Sequence, residues 1–212
     1  MNNSHLAWYV ARASGITAYF LVSASVLWGL ALSTKMFRRP RPAWMLDLHR
    51  FLGGAAVIFT GIHIAGLFFD QWAKFTLTEL FVPFASHWKP IPVAWGIVAF
   101  YLLLAVELTS LVMNKLPKKV WHGIHLTSLG LFVLITIHLF TAGSDKSNQW
   151  LQWAAIAVNS IAALMLVVRI SMKRPADASY DEPDPRDAAR AARRAAIEAA
   201  KAKAQATAQG GT

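Results

Sequence analysis

Residues 46–69 read LDLHRFLGGAAVIFTGIHIAGLFF and residues 120–142 read VWHGIHLTSLGLFVLITIHLFTA. Each run is mostly apolar and long enough for a helix to cross a bilayer, which takes about 20 residues. Each also carries histidine at two depths. His49 and His63 lie in the first run, and His125 and His138 in the second, with His122 beside His125. Five of the seven histidines of the chain therefore fall in two apolar segments. Ionisable side chains inside a membrane are costly and mark function by default. Hydrogen bonding between helices accounts for one isolated histidine, but poorly for two on each of two helices at matched depths.

Three further runs have the same character: 13–33, 93–113 and 150–168. The sequence thus predicts an all-α integral membrane bundle of five spans, in a chain that is 56% hydrophobic. The first run lacks a basic leader and a small-residue cleavage site before Lys35, so it is expected to be a true helix and not a signal peptide. Basic residues cluster in alternate connections. Lys35, Arg38, Arg39 and Arg41 follow the first span, Lys115, Lys118 and Lys119 follow the third, and Arg169, Lys173 and Arg174 follow the fifth. The other side carries Arg12, Lys74, Lys89 and Lys146. The positive-inside rule then places the N-terminus outside the cell membrane and the C-terminus in the cytoplasm. The expected boundaries are a membrane domain over 1–174 and an Ala-rich charged tail over 175–212, solvated or partner-binding, with 185–209 able to turn helical. The stretch 75–82 reads as a short interfacial helix.

Composition excludes several chemistries. The chain has no Cys, which removes thiol catalysis, Cys-ligated iron–sulfur clusters and covalent c-type haem. The net charge of +10 sits at the ends of spans, so it is expected to face lipid headgroups and not nucleic acid.

Depth gives the histidines a meaning. Fourteen residues separate His49 from His63, a rise of about 21 Å, and thirteen separate His125 from His138, a rise of about 20 Å. The second and fourth spans run in the same direction, so His49 lies level with His125 near the inner face and His63 level with His138 near the outer face. Two layers so far apart cannot make one zinc or copper site, which needs three or four converging ligands. Imidazole is a good axial ligand for haem iron, and the four residues fit two b-type haems stacked between the second and fourth spans. His122 is the alternate to His125, but its depth matches less well. One discrepancy remains: thirteen residues leave His125 and His138 about 140° apart around an ideal helix. Haems met from different sides, a π-bulge or a kink would each accommodate it.

Other residues are secondary candidates. Arg12 and Arg50 stand where haem propionates would need partners, and Arg50 equally suits a membrane anchor. Gly53, Gly54, Gly61 and Gly66 on the second span, and Gly123 and Gly130 on the fourth, suit close approach of a porphyrin or of another helix. Glu107 suits either a proton relay or quinol contact, or a neutral residue bonded to a neighbouring helix. His87 reads as a solvated loop residue.

At this point the chain resembles the ferric reductase-like transmembrane family, which includes membrane domains of ferric reductases and NADPH oxidases and haem-containing bacterial members. The resemblance covers roughly 8–143 and rests on Arg12-Ala-Ser-Gly15, on Leu48-His-Arg-Phe-Leu-Gly-Gly54 with Gly61-Ile-His63, on the loop Val82-Pro-Phe-Ala-Ser-His-Trp-Lys-Pro90, and on Trp121-His-Gly-Ile-His125 with His138. It implies transmembrane electron transfer, His49 with His125 on the inner haem, and His63 with His138 on the outer one. Six spans are the family pattern, against five here. Fewer than fifty residues follow the last span, without a GxGxxG unit. The expected electron donor is therefore a separate flavoprotein, a quinol or another membrane subunit, and the acceptor lies outside the cell. A small permease for protons or metal ions, and a haem-free scaffold, are the competing readings.

Overall fold

The computed structural model describes residues 5–34, 42–145, 147–171 and 192–200. Seven α-helices carry the membrane unit: α1 (Leu6–Ser33), α2 (Ala43–Phe69), α3 (Leu77–Phe81), α4 (Pro90–Leu111), α5 (Lys118–Leu126), α6 (Ser128–Ala142) and α7 (Gln149–Ser171). Helices α1, α2, α4 and α7, together with α5 and α6 taken as one segment, are long and apolar enough to cross a membrane. The five-span, all-helical expectation holds, with α1 starting seven residues earlier than Ala13. Residues 192–200 are helical and belong to a separate unit from 172 onward. The basic cluster at 35–41, Lys146, Lys173, Arg174 and most of the expected tail lie outside the described residues.

Local chemistry explains the element ends. Pro90 and Pro92 occupy the first turn of α4, where a missing N–H costs nothing. The short helix α3 falls inside the predicted 75–82 because Thr76 and Glu79 form a reciprocal capping box.

Helix α1 packs along α2 and also meets α6 and α7, while α4 packs on α6 and touches α2. The core joins Val22, Val26 and Leu30 of α1 to Ala56, Ala99, Leu103, Leu131, Phe132 and Ala162. Small residues set the closest crossings, as expected where lipid removes the hydrophobic drive for helix association. At Gly66 an added Cβ would stand 2.8 Å from the Ala11 backbone nitrogen, so α1 and α2 touch there only because the side chain is absent. Among the described residues α2 does not pack closely on α5 or α6. That gap holds the candidate site.

Two stacked histidine cavities

The fourth span breaks at Thr127. Its N–H reaches back three residues to the Ile124 carbonyl at 3.0 Å, and its Oγ1 donates to the same oxygen at 2.6 Å. Regular spacing resumes with the Leu131 N–H on the Thr127 carbonyl at 2.9 Å. A tightened turn advances about 120° and 2.0 Å per residue, against 100° and 1.5 Å in an α-helix. One such turn narrows the azimuth between His125 and His138 from about 140° to about 80° and lifts their separation to about 21 Å, equal to that of His49 and His63. The phase conflict in the sequence is met by a tightened turn, not by a π-bulge.

Two cavities fill the gap beside α2. The first, of about 280 Å³, is lined by His49, Gly53, Glu107, Trp121, His122, His125 and Arg169 among others. The second, of about 560 Å³, is lined by Arg12, Gly15, Tyr19, His63, Gly96, His138 and Asp145, and is roofed by Trp72 and Trp88. The second lies within the size range of ligand pockets, and the first just below it. Val22, Leu103 and Leu131 line both, so three buried aliphatic side chains form a shared wall.

In the first cavity the rings of His49 and His125 stand 5.9 Å apart, centre to centre, at 71°. Two imidazoles sharing one metal atom through bonds of about 2 Å come to a similar separation. His49 Nδ1 lies 3.3 Å from Ser25 Oγ. His125 stacks on Trp121, with ring centres 5.2 Å apart, and its buried Nδ1 has no hydrogen-bond partner among the described residues. In the second cavity His63 Nδ1 lies 2.7 Å from the Ala11 carbonyl and His138 Nδ1 lies 2.8 Å from the Pro92 carbonyl. A carbonyl only accepts, so each Nδ1 carries the proton and each Nε2 keeps a lone pair. Metal-ligating histidines are oriented in this way. No group of three or more His, Cys, Asp or Glu that could hold a metal ion occurs among the described residues.

The remaining candidates divide. Arg12 lines the second cavity, forms a two-pronged ion pair with Asp145 and stacks over Trp8 at 4.7 Å. Arg50 is exposed, stands 3.8 Å from Asp47 and does not line the first cavity. Arg169 does line it, a role that its place among the basic residues after the fifth span does not suggest. Glu107 sits against Gly53. Gly54, Gly61, Gly123 and Gly130 border open space, whereas Gly15, Gly29 and Gly96 abut histidine rings.

The model of the ferric reductase like transmembrane component matches residues 14–137, more than half of the 212. The chain belongs to this family. The match takes in His49, His63 and His125 and ends one residue before His138. No curated protein and no solved structure matches the chain. Membership agrees with the resemblance carried by the histidine motifs and makes this ferric reductase-like chain a multi-pass membrane protein.

The connection that roofs the second cavity is built around Glu79 and not around His87. The Glu79 carboxylate accepts from the His87 N–H (2.9 Å) and Nδ1 (2.7 Å), and from the Thr76 N–H (3.0 Å) and Oγ1 (2.8 Å). The backbone N–H of His87 is the largest influence, and together the bonds hold the Glu79 pKa down to about 2 from 4.5. A carboxylate with a depressed folded pKa contributes stability that is complete above its unfolded value and is lost as pH falls through the folded one. The protection of amides over 76–88, measured as exchange relative to the intrinsic rate at each pH, is therefore expected to be constant above about pH 4.5 and to fall between about 4.5 and 2. Glu79→Gln should lower that protection at neutral pH and lose its acid dependence. An unchanged acid loss of protection in the variant would refute the assignment.

Proposed function

We propose that the chain moves electrons across the membrane through two b-type haems, one held by His49 and His125 and the other by His63 and His138. The observation that carries this reading is the pairing of one cavity with one histidine from each of two spans, twice over, at equal spacing. The Nδ1 bonds of His63 and His138 support it, since they leave both Nε2 atoms available to a metal. Ligand type and the gap between α2 and the fourth span suit both sites; on size the second cavity fits and the first is the tighter, at about 280 Å³. Haem iron supplies one-electron chemistry when bound. The chain then holds the imidazoles in place, separates the two sites with the aliphatic wall, and offers cations to carboxylates. Arg169 with His122 suits propionates in the first cavity, and Arg12 suits them in the second.

On the charge pattern of the connections, the first cavity faces the cytoplasm and receives electrons from a separate flavoprotein or a quinol, and the second delivers them to an extracytoplasmic acceptor. The domain boundary near 174, with a cytoplasmic tail beyond it, belongs to the same proposal.

The test is a reduced-minus-oxidised visible spectrum with a pyridine haemochrome count. Wild type is expected to carry two b-type haems per chain. His125→Ala should lose one of them, and His122→Ala should keep both. Loss of a haem in His122→Ala with retention in His125→Ala would exchange the two roles. A folded, haem-supplemented preparation without haem would sink the reading and promote a permease or scaffold.

A further inference from the structure

Three imidazoles share one seating arrangement, and it pairs a hydrogen-bonding group with a glycine four residues later. His63 Nδ1 meets the Ala11 carbonyl, and a Cβ on Gly15 would lie 2.7 Å from that same nitrogen. His138 Nδ1 meets the Pro92 carbonyl, and a Cβ on Gly96 would lie 2.6 Å from its Cε1. His49 Nδ1 meets Ser25 Oγ, and a Cβ on Gly29 would lie 3.1 Å from its Cε1. Contacts under 3.0 Å force something to move.

The i to i+4 spacing has a cause. Helical Cα–Cβ bonds tilt toward the N-terminus, so the side chain at i+4 covers the carbonyl at i. The same helix shows that position filled from within: Ser14 Oγ bonds the Val10 carbonyl at 2.5 Å, and Ser23 Oγ bonds the Tyr19 carbonyl at 2.7 Å. At Ala11 the Ser14 hydroxyl reaches the carbonyl at 3.1 Å from within the helix, but the shorter bond, 2.7 Å, comes from His63 on another helix. At Pro92 it comes from His138, and in both places the imidazole enters where the residue one turn later has no side chain.

We propose that Gly15, Gly29 and Gly96 are positioning residues that open a helix flank so that His63, His49 and His138 seat their rings on the polar group one turn earlier. This rests on the bis-histidine reading above. Among the described residues His125 has no such seat: its Nδ1 meets no partner there and its ring stacks on Trp121. The second cavity thus holds two seated imidazoles and the first holds one.

The experiment compares Gly15→Ala, Gly96→Ala and Gly29→Ala in the full chain with Gly54→Ala, which borders open space. Readouts are haem count, the low-spin ferric EPR signal, which follows the orientation of the axial imidazole planes, and the midpoint potentials. Disturbing groups that orient a metal ligand weakens binding by about 10- to 100-fold. Gly15→Ala and Gly96→Ala are expected to lose or shift the same one of the two haem signals, and Gly29→Ala to shift the other. Gly54→Ala should match wild type. Should Gly96→Ala and Gly15→Ala fail to accumulate, the milder Gly29→Ala decides, and an unmoved signal there overturns the proposal. Two wild-type haems with unaltered spectra in the three variants overturn the seats alone, whereas a wild type without haem overturns the bis-histidine reading beneath them.

Discussion

Replacing His138 by Ala is expected to leave one haem per chain and to slow electron delivery to an external acceptor by more than about 100-fold. The bound comes from ligand-orienting groups, whose loss alone costs about 10- to 100-fold in metal affinity, so loss of the ligand itself should cost more. His138 lines the second cavity with its ring fixed by the Pro92 carbonyl, and among the described residues no other His, Cys or Met lines that cavity apart from His63. His63→Ala should give the same phenotype. The double variant should be no worse than either single one, because residues acting as one unit are not additive. The first-cavity spectrum should persist in all three. Retention of both haems in His138→Ala would remove this residue from the ligand set.

The second large effect concerns stability. Arg12→Ala is expected to destabilise the membrane unit by about 2–3 kcal/mol, read as earlier thermal unfolding in detergent. Asp145 is 8% exposed, and with its partner gone it would hold an uncompensated charge at the lip of the second cavity. A fully buried pair broken in this way costs about 3–5 kcal/mol. The Arg12 side chain is 36% exposed, which lets solvent relieve part of that cost. Arg12 also joins the start of α1 to the connection between α6 and α7 and stacks on Trp8. Asp145→Asn should do less harm than Arg12→Ala, since it leaves the exposed partner charged and removes the covered charge. The reverse order would show that Arg12, and not Asp145, is the group that cannot be left alone.

The spans could be read from sequence because apolar length is a local property, and α3 because Thr76 and Glu79 cap a helix within one turn. The two histidine depths followed from helical rise alone. What stayed hidden depends on contacts between helices. Nothing in the sequence singles out Gly29 or Gly96, although the pairs Ser25/Gly29, Ala11/Gly15 and Pro92/Gly96 share a spacing that carries meaning once a histidine faces them. Asp145 gave no sign that it would meet Arg12, which lies 133 positions away. The turn at Thr127 has no Gly or Pro to announce it. Arg169 was hidden by its position at a span end, where basic residues are expected on other grounds.

The aliphatic wall of Val22, Leu103 and Leu131 has an electrical consequence. The histidine layers on either side of it are about 21 Å apart along a hydrocarbon core about 30 Å thick. On the proposed route, one electron crossing between layers traverses roughly two thirds of the membrane voltage. A unit charge moved through 100 mV is worth about 2.3 kcal/mol, so this step gains or loses about 1.6 kcal/mol per 100 mV. Travel toward the positive side is favoured whichever end of the chain faces it. In sealed vesicles, turnover would therefore charge the membrane, and an imposed potential would speed or stall it.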